Sequence, residues 1–177
     1  MLELHAHRSN PPSEHQVHLT YEVGENAVIV DFEVICPSLN LAEHFNIENW
    51  DNWGLWEHDV VEVFIQKKSS SNHYLELQIS PLGQKFALLV KSPRKDFQKL
   101  TTLNTDAQAI KTDRGFRAQF NIDISEIPGE GSDLFANFHA CLGPEKNRCY
   151  FSHIVNEELT PDYHRPDLFD RIGVIHG

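Results

Sequence analysis

Alternation of apolar and polar residues at a period of two runs through most of this chain, and it leaves few architectures open. Ala27-Val-Ile-Val-Asp-Phe-Glu-Val-Ile-Cys36 is one such run, and residues 16–23 form another, the two joined at Gly24-Glu25-Asn26. Side chains of a strand point to opposite faces in turn, so a period of two marks a sheet with two distinct sides. The same reading predicts strands over 56–67, 73–80, 84–91, 104–112, 115–124, 134–142, 148–155 and 170–176. Turn residues separate several of them: Pro81-Leu-Gly83, Asp113-Arg-Gly115, Pro128-Gly-Glu-Gly131 and Gly143-Pro144. Residues 93–103 are basic and polar with no clear period, and 40–49 has room for a helical turn or two. Nine or ten short strands with turn signals between them predict an all-β fold. The expected architecture is a single antiparallel β-sandwich, immunoglobulin-like or jelly-roll, with little helix.

Length and charge narrow the function classes. A chain of 177 residues suits one domain spanning 1–177, with no repeat and no linker. The net charge of −11 argues against nucleic acid and against an anionic membrane surface, because both need local positive charge. No apolar run approaches the ~18 residues of a membrane span, and the first residues lack the apolar core of a signal peptide. Cys36, Cys141 and Cys149 are odd in number and show no C-x-x-C spacing, so a reduced, cytoplasmic protein is expected.

All three tryptophans, Trp50, Trp53 and Trp56, fall at the end of a long Asn- and Asp-rich excursion over 37–55, directly before the strongest strand pair. Long excursions in compact domains are often functional. Alternation in the 56–67 strand places Val61, Val63 and Ile65 on one side, with Trp56, His58, Val60, Glu62, Phe64 and Gln66 on the other. In the 73–80 strand Leu75, Leu77 and Ile79 oppose Tyr74, Glu76, Gln78 and Ser80. The apolar triplets are the expected core faces. A turn over roughly 67–71 would set Glu62 against Glu76, Phe64 against Tyr74, Val60 against Gln78 and His58 against Ser80. Two like charges directly opposite destabilise a sheet unless something compensates. A cation, an Arg or Lys laid across them, a shared proton or a ligand's hydroxyls would serve, as would plain solvation on an exposed face. Flat C–H faces of sugars stack on indole while carboxylates and amides take hydroxyls, so this residue set is the vocabulary of a sugar site. A second cluster, Thr160-Pro-Asp162-Tyr-His164-Arg-Pro166, is held off any regular path by its prolines and brings Asp162 and His164 to a loop.

Gly54-Leu-Trp56-Glu-His58-Asp, Glu62-Val-Phe, Tyr74-Leu-Glu76-Leu-Gln-Ile-Ser80-Pro81-Leu-Gly83 and Pro161-Asp162-Tyr163-His164-Arg-Pro166 together resemble DOMON-like proteins related to family 9 carbohydrate-binding modules. The resemblance covers roughly residues 15–176. It implies a β-sandwich whose members bind sugars or, in some DOMON branches, haem, and which often contain structural calcium.

The leading expectation is a non-catalytic binder of a small polar ligand, a carbohydrate. Its expected site is built from Trp50, Trp53, Trp56, His58, Glu62, Tyr74, Glu76, Gln78, Asp162 and His164. No catalytic residue and no cofactor is expected, with calcium as the admissible ion. Three alternatives stand beside it. One is a glycoside hydrolase with Glu62 and Glu76 as its acid pair, ~5–5.5 Å apart for retention or ~6.5–9.5 Å for inversion. Another is a haem-binding domain, for which Met1 as the sole methionine leaves histidine ligands. The third is a protein-interaction module.

Overall fold

The computed structural model describes residues 1–68 and 72–175. Two antiparallel sheets pack face to face. The smaller has the order β1 (Leu2–Glu3), β3 (Gln16–Val23), β4 (Ala27–Ile35), β10 (Gly115–Asp123), β9 (Asp106–Thr112). The larger runs β2 (His5–Ala6), β12 (Cys149–Ser152), β11 (Asp133–Leu142), β5 (Val60–Lys67), β6 (Tyr74–Ile79), β7 (Lys85–Ser92), β8 (Asp96–Lys99), and β13 (Asp170–Val174) pairs with the first part of β11. All ten expected strands are present, so the all-β sandwich is the fold. Residues 40–49 make turns and bends rather than helix, and the helical segments among the described residues are short 3-10 turns.

Alternation decides what lies between the sheets. Val28, Val30, Phe32 and Val34 of β4 meet Val61, Val63 and Ile65 of β5 and Leu75, Leu77 and Ile79 of β6 in one core, all at most 2% exposed. Phe32 and Phe138 touch edge to face across the gap, with ring centroids 6.4 Å apart. Removing such surface from water supplies the main drive for folding, about 25 cal/mol per Å² of apolar area.

The opposite face of the large sheet is buried as well. A second apolar cluster joins Val60, Phe64, Tyr74, Phe86, Leu88, Val90 and Cys141 of that face to Ala42, Leu55 and Phe169 of the loops lying over it. The large sheet is therefore covered on both sides, by the small sheet and by two loop segments. Strand β5 shows this directly, since every residue from Val60 to Gln66 is buried.

Two sequence expectations need correction here. Strand β5 begins at Val60, not at residue 56, because Leu55–Glu57 turn as a 3-10 helix behind Gly54, whose φ of 91° is the left-handed conformation that glycine adopts without strain. The register with β6 is displaced by two residues: Glu62 faces Gln78 and Phe64 faces Glu76. Side chains alternate with a period of two, so a shift of two leaves every residue on its expected face. Residues 69–71 of the expected turn lie outside the described residues, as does residue 176 of the last expected strand.

Candidate functional site

A pocket of about 350 Å³ opens on the covered face of the large sheet. Its floor is sheet: Glu62 and Phe64 from β5, Glu76 and Gln78 from β6, Leu88 and Val90 from β7, Cys141 from β11 and Tyr150 from β12. Trp53 and Trp56 form one wall and Pro161 to His164 the other, with Arg94 and Phe97 completing the lining. Size and lining match a site for a small ligand, apolar around a few convergent polar groups.

The tryptophan wall is held by backbone anchors. The Trp50 carbonyl accepts from the Ala87 amide at 3.0 Å, and Asp51 forms a bridge with Phe86. Asn52 donates to the carbonyls of Asn46 (2.8 Å) and Lys85 (2.9 Å), tying the excursion to itself and to β7. Gly54 then turns the chain so that the Trp53 and Trp56 rings meet at 86° with centroids 4.8 Å apart. Arg148 fixes the far side: its guanidinium donates to the carbonyls of Trp56, His58 and Gly143, and it pairs with the buried Asp59 at 3.5 Å. Asp59 also accepts from the amides of Gly143 (2.6 Å) and Asn40 (2.9 Å).

The opposite wall hangs from the sheet by side chains. Tyr163 donates to the Ala140 carbonyl at 2.9 Å and stacks on His139 at 4.0 Å between centroids. Asp162 accepts from the His164 amide at 3.0 Å and forms an ion pair with Arg94. The Tyr74 phenol bonds His164 Nδ1 at 2.6 Å. Burial is the main influence on His164 and lowers its pKa, so the ring is neutral near pH 7.

Electrostatics on the floor are unusual. Glu62 and Glu76 are 2% and 3% exposed, and burial pushes their pKa values up to about 7 and about 8. Repulsion from Glu62 adds to the rise at Glu76, while a hydrogen bond from Gln78 opposes it; the Cys141 thiol and the charge of Arg148 hold Glu62 lower. Gln78 Nε2 donates to Glu76 Oε1 at 2.9 Å, and Cys141 Sγ to Glu62 Oε1 at 3.5 Å. Glu76 Oε2 and Gln78 Oε1 are buried and have no hydrogen-bond partner in the protein. Unpartnered buried acceptors cost roughly 1–3 kcal/mol each, so they call for an explanation.

Of the ten residues expected at the site, the structure brings seven to this pocket: Trp53, Trp56, Glu62, Glu76, Gln78, Asp162 and His164. Tyr74 stands behind it, fully buried, and reaches it through His164. Trp50 does not take part; it packs in the sandwich core, with Lys85 Nζ 5.5 Å from its ring centroid. His58 is also elsewhere. As the residue that ends the 3-10 turn it precedes the strand, and its ring packs on His44 and Phe45 at 5.3 and 5.8 Å. The solvated reading of the two glutamates fails, since loops cover their face. No Lys or Arg is laid across them among the described residues.

Arg94, Phe97, Tyr150 and Tyr163 were missed. Arg94 and Phe97 lie at and beside β8, in the stretch without readable period; a register shift between Val90 and Ser92 and a left-handed Arg94 (φ 60°) carry them to the pocket. Phe97 lies nearly parallel to Trp53 with centroids 5.8 Å apart. A larger hollow of about 630 Å³ lies over the small sheet, but its charged and amide side chains bond one another: Arg117 to Glu33, Gln119 to Asp31 and Gln108 to Gln119. None of the buried side-chain atoms without a hydrogen-bond partner among the described residues belongs to its lining. Among the described residues no group of three or more His, Cys, Asp or Glu side chains is placed to hold a metal ion.

No protein-family model and no curated protein matches the chain. Solved structures match it in fold. A family 9 carbohydrate-binding module from Caldicellulosiruptor kristjanssonii, in complex with cellotriose, gives a TM-score of 0.67 at 17% identity, over 96% of this chain and 80% of that one. A family 9 module from the same organism in complex with glucose gives 0.66 at 16% identity, over 95% and 82%. A Bacteroides uniformis protein proposed to bind carbohydrate gives 0.69 at 14% identity, over 96% and 83%. The likeness is one of fold.

Proposed function

We propose that this protein is a non-catalytic carbohydrate-binding module whose site is the pocket between the Trp53/Trp56 wall and the Asp162–His164 loop. One observation carries the reading: Glu76 Oε2 and Gln78 Oε1, buried and without partners, lie on a floor beside two indoles set at right angles. Acceptors of this kind suit ligand hydroxyls, and indole faces suit the C–H faces of a sugar ring. The fold neighbours in complex with cellotriose and glucose support it. A catalytic role for Glu62 and Glu76 has less support. Acid–base work needs environments that set one carboxyl apart as acid and the other as base, whereas burial is the largest cause of the rise at both. A cytoplasmic setting belongs to the same proposal and rests on three free, buried cysteines.

A panel of mono- and oligosaccharides titrated against tryptophan emission tests the reading. Binding should quench or blue-shift the emission, because Trp53 is 45% exposed at the pocket. Glu76→Ala should weaken binding by roughly 1–3 kcal/mol. Unchanged emission at millimolar sugar, together with no effect of Glu76→Ala on any measured binding, removes the proposal.

A further inference from the structure

The pocket floor carries two buried carboxyl groups, and among the described residues no Lys or Arg forms an ion pair with either. Glu62 and Glu76 sit on neighbouring strands, diagonal to one another on one face, since Glu62 opposes Gln78 and Glu76 opposes Phe64. Among the described residues, the basic side chains that line the pocket or stand at its walls are engaged by other groups. Arg94 pairs with Asp162 at the wall, and Arg148 is taken by Asp59 and three carbonyls. Lys99 Nζ lies over the Trp53 ring, 3.9 Å from its centroid. His164 Nδ1 comes within 3.9 Å of Glu76 Oε2, but that nitrogen already bonds the Tyr74 phenol and burial keeps the ring neutral. Glu62 accepts a hydrogen bond from the Cys141 thiol, and Glu76 accepts one from the Gln78 amide at one oxygen and none at the other.

A buried carboxylate without a cation is strongly disfavoured, and a partner that brings positive charge relieves it. Aromatic rings around the same space favour a cation a second time, because the face of an indole carries negative potential. Trp53, Trp56 and Phe97 supply those rings. Resting on the carbohydrate reading above, we propose that the preferred ligand is an amino sugar, its ammonium group directed to Glu76 Oε2 and Glu62 and its hydroxyls to Gln78. Binding then completes an ion pair that the protein leaves half built. The raised pKa values of both carboxyls express the same deficit, and the amine reverses it by favouring their ionised forms.

Glucose, glucosamine, N-acetylglucosamine and glucuronate, titrated calorimetrically into the wild-type protein at about pH 7.5, below the ~7.7–8.0 at which an α-amino group titrates and above the value to which burial raises Glu62, form the test. Glucosamine should bind about tenfold or more tightly than glucose, as a charge-assisted hydrogen bond predicts, and N-acetylation should abolish the advantage by removing the charge. In Glu76→Gln the ratio of glucosamine to glucose affinity should fall towards one, whatever that change does to each affinity. Glucose or glucuronate binding as tightly as glucosamine overturns the amine preference and leaves the carbohydrate reading standing. Binding of none of the four overturns both. Calcium chloride competing at the same concentration as glucosamine would show that charge alone is recognised and would also overturn the proposal.

Discussion

Glu62 and Glu76 tie the stability of the protein to pH in an unusual sense. A carboxyl group ordinarily titrates near 4.5; burial moves these two to about 7 and about 8 in the folded chain. Between those limits the folded state holds more protons than the unfolded one, so stability is greatest below the ordinary carboxylate range and falls as pH rises through 7 and 8. Both groups are buried, so the loss is on the order of a few kcal/mol across the window for each. Glutamine keeps the shape and cannot ionise. Denaturant titrations at pH 5, 6.5 and 8 should show Glu76→Gln gaining on the wild type as pH rises, with Glu62→Gln behaving similarly over a slightly lower range. A difference between variant and wild type that stays constant with pH would mean that the carboxyls are not held protonated by the fold.

At the scale of elements, the pocket depends on two loops that the sequence showed only in part. The faces of β5 and β6 were legible because apolar triplets at a period of two name the core side without any knowledge of register. Register itself was not legible. The letters between the two strands carry no pattern that fixes the length of a turn. Nor could periodicity show that the polar face would be roofed, since a solvated strand and a strand under a loop read alike until the loop is placed. His58 was misassigned for a related reason: Gly54 and the turn after it break the alternation that the letters alone appear to continue. The 3-10 turn is closed from far away in sequence, by Arg148 donating to the carbonyls of Trp56 and His58. Arg148→Met should therefore cost about 3–5 kcal/mol, because Asp59 is left buried without its cation. Arg148→Lys should recover part of this, as an ammonium supplies the charge but not the planar fork that reaches several carbonyls. Urea unfolding measures both, and a loss below about 1 kcal/mol in Arg148→Met would show that the turn is held by other contacts.

Considered whole, the molecule has two apolar cores sharing one sheet, and they divide structure from site. The inter-sheet core contains Ile122 of β10, fully buried and on the small sheet, which contributes nothing to the pocket. The covering cluster contains Leu55, equally buried, the first residue of the turn that carries Trp56. Cutting either side chain to alanine removes similar apolar surface and leaves a cavity, so each should cost roughly 2–5 kcal/mol in unfolding free energy. Their effects on binding should separate. A cavity between the sheets leaves the floor and both walls in place, so Ile122→Ala should bind sugar with wild-type affinity once folded. A cavity under Leu55 loosens the turn on which Trp56 stands, and positioning losses at a binding wall weaken affinity even when no contact is deleted. Leu55→Ala should thus lose affinity about tenfold relative to Ile122→Ala at matched fraction folded, read by tryptophan emission against sugar concentration. Equal affinities in the two variants would place the ligand away from the tryptophan wall, because of the two residues only Leu55 supports that wall.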